Sequence, residues 1–128
     1  MEYRILGPLE VVGDGGPLRL GGAKQRALLA LLLLDSGRVV SQERLIDELW
    51  DEEPPETARE TLQVYVSRLR KLLPEGALVT GGAGYALQVE PDAFDLARFE
   101  RLRAERRFHE ALALWRGPAL AEIGRAHV

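Results

Sequence analysis

The segment "TLQVYVSRLRKLL", Thr61 to Leu73, decides how the rest of this chain is read. Wound into an α-helix of about 3.6 residues per turn, it places Leu62, Val66, Leu69 and Leu73 on one stripe and Thr61, Val64, Arg68 and Lys71 on another roughly opposite. The first stripe is made to pack, the second to meet solvent or a partner. The charge is equally one-sided, because Arg68, Arg70 and Lys71 occur in this segment without any acid.

The preceding segment has the opposite sign. From Asp35 to Glu60 the acids Asp35, Glu43, Asp47, Glu48, Asp51, Glu52, Glu53, Glu56 and Glu60 outweigh Arg38, Arg44 and Arg59. The formal net charge of -3 therefore hides an acidic element followed by a basic one. A polyanionic partner has to be argued from where the positive charge sits, not from the total. At 128 residues the chain fits one ordinary domain, or a small domain plus part of a second, and its 46% apolar content is enough for a real core. The absence of cysteine excludes disulfides and thiolate metal sites. The most apolar run, "ALLALLLL" at Ala27 to Leu34, is far short of the roughly 20 residues that cross a bilayer, and no export signal precedes it. The expectation is a cytoplasmic protein without membrane insertion.

Working outward, "YRILG", "LEVV" and "PLRL" are β-favouring segments separated by Gly7-Pro8 and by Gly13-Asp14-Gly15-Gly16, which predicts a small antiparallel sheet. "AKQRALLALLLLDSG" predicts the central, most buried helix, stopped by Gly37. Ser41 is an N-cap for "QERLIDELW", with Leu45, Ile46, Leu49 and Trp50 as its apolar face. Pro54-Pro55 then opens a third helix from Glu56 to about Leu73, terminated by Pro74 and Gly76. "ALVT", "GGAG" and "YALQV" form a hairpin with a glycine-rich tip, and Tyr85 is expected to anchor it in the core. Strands, three helices and a hairpin in this order predict an α+β fold, the winged helix-turn-helix, with an N-terminal antiparallel β-sheet and a C-terminal β-hairpin wing.

These residues also resemble a known family. "ETLQVYVSRLRKLL" followed by "TGGAGYAL" resembles the recognition helix and wing of the OmpR/PhoB-type winged-helix DNA-binding domain. The wider pattern, "LGGAKQRALLALLLLDSGRVVSQERLIDELW" with "DEEPPETARETLQVYVSRLRKLL", is similar to the Streptomyces antibiotic regulatory protein (SARP) family of transcriptional activators, over about residues 3 to 90. "FDLARFERL" and "EALALWRGPAL" resemble parts of the helical bacterial transcriptional activator domain that follows in that family. Members usually carry a longer helical stretch between those two segments, whereas "RAERRFH" joins them directly here. The resemblance therefore implies a DNA-binding domain at residues 1–91 and a shortened, partial all-α activator segment at 92–122, too short for a helical-repeat core of its own. Residues 123–128, "IGRAHV", match the translated start of a common sequencing adapter, and a non-native tail is expected there.

The resemblance implies regulation, as an activator, through sequence-specific binding of double-stranded DNA with the third helix in the major groove. Arg68 matches the position that reaches base edges, where Arg can pair with guanine O6 and N7; the plainer alternative is a solvated surface Arg. Val64 could touch a thymine methyl or pack under the wing. Thr61, Ser67, Arg70 and Lys71 suit phosphate contacts, with a surface ion pair as the alternative for Arg70. Gln63 is left open, and Tyr65 is expected to be structural. The wing residues Thr80, Gly81, Gly82, Ala83 and Gly84 offer no cation for the minor groove, and without a P-loop lysine or a following helix they read as a tight turn.

The acidic stretch Asp47, Glu48, Asp51, Glu52, Glu53 has no histidine for metal or acid-base work and could be a solvated face. The resemblance implies an RNA polymerase-contacting loop at Asp51, Glu52 and Glu53. His109 and His127 have neither nucleophile nor ligand spacing around them, so no enzyme, metal or cofactor is expected. The rival reading is a protein-interaction module that kept the winged fold without DNA binding. The first strand begins almost at Met1, so no receiver domain is expected before it and control is expected in a missing C-terminal part. One recognition helix reads few bases, which predicts a free monomer that pairs on tandem half-sites.

Overall fold

The structure is a computed structural model that describes residues 1–51 and 53–118. Glu52 of the acidic loop, the end of the activator segment and the expected tail at 123–128 lie outside the described residues. In chain order the elements are β1 (Glu2–Arg4), β2 (Glu10–Gly13), β3 (Gly16–Pro17), α1 (Ala23–Leu34), β4 (Val40–Ser41), α2 (Gln42–Trp50), α3 (Ala58–Leu72), β5 (Leu78–Gly81), β6 (Gly84–Leu87), a 3-10 turn (Pro91–Ala93), α4 (Asp95–Ala104) and α5 (Phe108–Leu112). Packing gathers them into two compact units: Leu20–Gln88, and Met1–Arg19 with the described residues from Val89 onward. The first three strands thus group with the last helices.

In the unit formed by the chain ends, β1-β2-β3 is an antiparallel sheet with Tyr3 opposite Val11 and Val12 opposite Pro17. Tyr3, Ile5, Leu6, Leu9 and Val11 are buried. Burial raises the Tyr3 phenol above its ordinary range, while the hydrogen bond from Arg4 holds the Glu2 carboxyl below its own. α4 packs on β1 and on α5, so the sheet completes a core that the two helices are too short to form alone. Asp95 ties them together: its carboxyl oxygens accept from Ile5 N at 2.9 and 3.1 Å and from Leu6 N at 3.0 Å. Further on, Arg116 N donates to Leu6 O at 2.8 Å, and Trp115 meets Phe99 edge to face. α4 ends in a Schellman arrangement, with Arg107 N bonded to Leu102 O and Arg106 N to Arg103 O. Arg106, at φ +61, fills the left-handed position that usually falls to glycine.

In the unit Leu20–Gln88, α1 buries Leu28, Leu29, Ala30, Leu32 and Leu33, as expected for the central helix. Full burial of one such leucine is worth about 1.5–3 kcal/mol. The helix stops at Leu34 with Asp35 as cap, and Gly37, at φ +84, turns the chain so that its N–H reaches Leu87 O at 2.9 Å. Ser41 caps α2 as expected, its side chain accepting from Arg44 N at 3.1 Å. α3 begins at Ala58, two residues later than expected, because the Pro55 carbonyl takes the Ala58 N–H at 3.0 Å in a separate turn first. A strand not expected from the sequence, β4, pairs antiparallel with β6, giving the sheet order β4-β6-β5.

Candidate nucleic-acid interface

The two stripes of α3 separate as the sequence predicts. Leu62 and Leu69 are fully buried, Val66 and Leu73 nearly so. α3 packs on α1, α2 and β5, so the opposite side is left to solvent. On that side Gln63, Val64, Ser67, Arg68, Arg70 and Lys71 are exposed and Thr61 is half-buried. Val64 is 45% exposed, which places it outside the packing beneath the hairpin. Arg68 and Lys71 form no hydrogen bond or ion pair with any described residue. Glu60 lies at the N-terminal end of the same side. There its charge faces the positive pole of the helix dipole.

Arg70 stands apart from this set. Its Nε donates to Leu78 O at 3.0 Å, its Nη2 donates to Thr80 Oγ1 at 2.5 Å, and the guanidinium lies 6.0 Å from the centre of the Tyr85 ring. Arg70 therefore braces α3 against the hairpin and forms no ion pair with a described acid. Nothing local in the sequence signals this, because its partners are eight and ten residues further along and are brought back only by the hairpin.

The hairpin itself is tight. Pairing runs to Gly81 opposite Gly84, leaving Gly82 and Ala83 as a two-residue tip with Gly82 at φ +49. This matches the turn reading of the glycine run, and Tyr85 is buried as expected. The tip is joined to the start of α2: Gln42 N donates to Ala83 O at 3.0 Å and Gln42 Nε2 to Tyr85 Oη at 3.3 Å. Gln42 and Ser41 thus stand beside a wing that carries no cation.

Tyr65 is half-buried and stacks on Trp50, ring centroids 6.4 Å apart and planes 11° off parallel, in keeping with the structural role expected of it. In the acidic loop Asp51 and Glu53 are exposed, and Glu53 N donates to Trp50 O at 3.3 Å. Among the described residues there is no cluster of metal-ligating side chains and no helix long and apolar enough to cross a membrane.

Residues 16–87 match the family described as "Transcriptional regulatory protein, C terminal". The chain is 40% identical over 138 residues to the regulatory protein AfsR of Streptomyces coelicolor, covering 96% of this chain and 14% of AfsR. It is 36% identical to the transcriptional regulatory protein EmbR of Mycobacterium tuberculosis, covering 96% of this chain and 37% of EmbR. It is 38% identical to the transcriptional regulator RedD of Streptomyces coelicolor, covering 97% of this chain and 41% of RedD. A solved structure of Mycobacterium tuberculosis EmbR in complex with a low affinity phosphopeptide is similar with a TM-score of 0.83 at 37% identity, covering 96% of this chain and 38% of that one. The chain thus spans less than half the length of each of these relatives.

Proposed function

Because this chain belongs to the transcriptional regulatory protein C-terminal family, a DNA-binding domain of the OmpR/PhoB winged-helix type with SARP-type regulators among its relatives, we propose that it binds double-stranded DNA sequence-specifically and activates transcription. α3 is the recognition helix and lies in the major groove. The observation that carries this reading is the outward side of α3, where Arg68 and Lys71 stand exposed beside Val64 and Ser67 with no partner among the described residues. Arg68 and Val64 read base edges, while Thr61, Ser67 and Lys71 contact phosphate and fix register. Arg70 can add a phosphate contact only through Nη1 and the second hydrogen of Nη2, since Nε and the other Nη2 hydrogen serve the hairpin. Titration of the chain with duplex DNA at two salt concentrations tests the reading. The logarithm of the binding constant is expected to fall with that of salt by about 0.9 for each phosphate neutralised. Binding indifferent to salt, or none, would leave a protein-interaction module that kept the winged fold.

In function, residues 1–91 are the DNA-binding part and 92–122 a shortened activator segment, with 123–128 as a non-native tail. The protein works in the cytoplasm, associated with the nucleoid, and uses neither cofactor nor catalytic step. It is monomeric when free and pairs on tandem half-sites centred about one helical turn, roughly 10 to 11 base pairs, apart. The loop Asp51, Glu52, Glu53 faces RNA polymerase, where an acidic segment complements a basic partner. Charge reversal across the loop should lower activation without changing operator affinity.

A further inference from the structure

Lys24 stands in the first turn of α1, yet its ammonium serves the far end of α2. Its Nζ donates to the carbonyl oxygen of Leu49 at 2.8 Å and lies 5.5 Å from the centre of the Trp50 ring. Trp50 in turn stacks on Tyr65 of α3. One chain of contacts, ammonium to indole to phenol, therefore links α1, α2 and α3. α2 has no basic residue in its own last turn, so Lys24 places a cation at the negative pole of that helix from outside it. The chain then leaves α2 through Asp51 at φ +52, a left-handed conformation uncommon outside glycine. The clamp sits at the strained step from which α3 is entered.

Taking the DNA-binding reading above as given, we propose that Lys24 is a positioning residue for the recognition helix. It holds the end of α2 and, through Trp50 and Tyr65, sets the tilt at which Arg68 and Val64 meet base edges. Base contacts depend on that tilt, whereas phosphate contacts tolerate a looser fit. Loss of Lys24 should thus erode discrimination more than overall affinity. A lysine that itself touched phosphate would do the reverse, weakening all sequences alike and lowering the salt slope by about 0.9.

The test uses the full chain and a duplex that the wild-type chain enriches from a random-sequence library, with its scrambled counterpart as second probe. Wild type is expected to prefer the enriched duplex and to bind both more weakly as salt rises. If it shows no such preference, the DNA-binding reading itself falls and the clamp falls with it. Given the preference, Lys24→Met should reduce the enriched-over-scrambled ratio about two- to fivefold, the scale of one exposed cation–π contact. The salt slope should not change. Lys24→Arg, which keeps the charge and the donor, should restore most of the ratio. In a Trp115→Phe background the emission of Trp50 should shift to the red for Lys24→Met and stay in place for Lys24→Arg. A reduced salt slope with an unchanged ratio would make Lys24 a phosphate contact. A lower melting temperature with an unchanged ratio would make it merely structural. Either result overturns the clamp, and so does a ratio that does not move at all.

Discussion

Arg68 and Lys71 stand three residues apart on the exposed side of α3, yet their work is separable. Arg68→Ala should cost on the order of 1 to 3 kcal/mol in binding to an operator and relax base preference at one position. Lys71→Ala should weaken all sequences alike and lower the salt slope by about one unit. Base preference is read as the ratio of operator to scrambled DNA affinity at one fixed salt concentration, and the slope by repeating the titrations at a second concentration. If Arg68→Ala loses the two equally, Arg68 is a phosphate contact and the base-reading assignment is wrong. The stripe behind them supplies the contrast, because Leu69 is fully buried and touches the core rather than the partner. The two stripes were legible in the sequence because helical periodicity is local: Leu62, Val66, Leu69 and Leu73 recur every three or four residues whatever the rest of the chain does. Arg70 was not, since an arginine that bonds a strand carbonyl and a threonine hydroxyl looks in sequence like any other cation beside Lys71.

At the scale of elements, the glycine run at the wing shows how one motif can hold two different requirements. Gly82 turns the hairpin at φ +49 with nothing within 4 Å of a would-be Cβ. Gly84 lies in extended β6, where a Cβ would come within 1.9 Å of Val40 O and 2.7 Å of Ser41 Cα. The sequence shows the turn, since consecutive glycines between β-favouring segments can hardly be read otherwise. It conceals the close approach, because β4 is only two residues long and offers no alternation to detect. Gly82→Ala should therefore cost about 1 kcal/mol of left-handed strain. Gly84→Ala should cost about 1 to 3 kcal/mol or more, because the backbone of β4 must move aside. Denaturant unfolding of the two variants makes the comparison. A milder effect for Gly84→Ala would show that the β4–β6 pairing yields freely and does not hold the wing beside the N-terminus of α2.

At the scale of the whole molecule, contiguity in sequence and contiguity in packing part company. Winged-helix logic assigns the first strands to the DNA-binding region, but their buried face is completed from the other end of the chain, through Asp95, 90 residues beyond Ile5. No period or local motif encodes a pairing over that distance, which explains why the helices of Leu20–Gln88 could be read in order while the grouping of the chain ends could not. Asp95 is 3% exposed, and its carboxyl oxygens are the acceptors for the N–H groups of Ile5 and Leu6. Asp95→Ala would leave those two buried donors without this acceptor, at a cost of about 1 to 3 kcal/mol. The loss should fall on the unit that contains it. Hydrogen exchange read by mass spectrometry should show reduced protection for peptides from residues 1–19 and 89–118, with protection in 20–88 largely kept, as expected where stability is distributed in cooperative segments. Asp95→Asn, which keeps one acceptor oxygen, should fall between Asp95→Ala and wild type. Equal loss of protection across residues 20–88 would show instead that the chain opens as a single cooperative body, and that the carboxyl of Asp95 stabilises the recognition helix as much as the sheet it bonds.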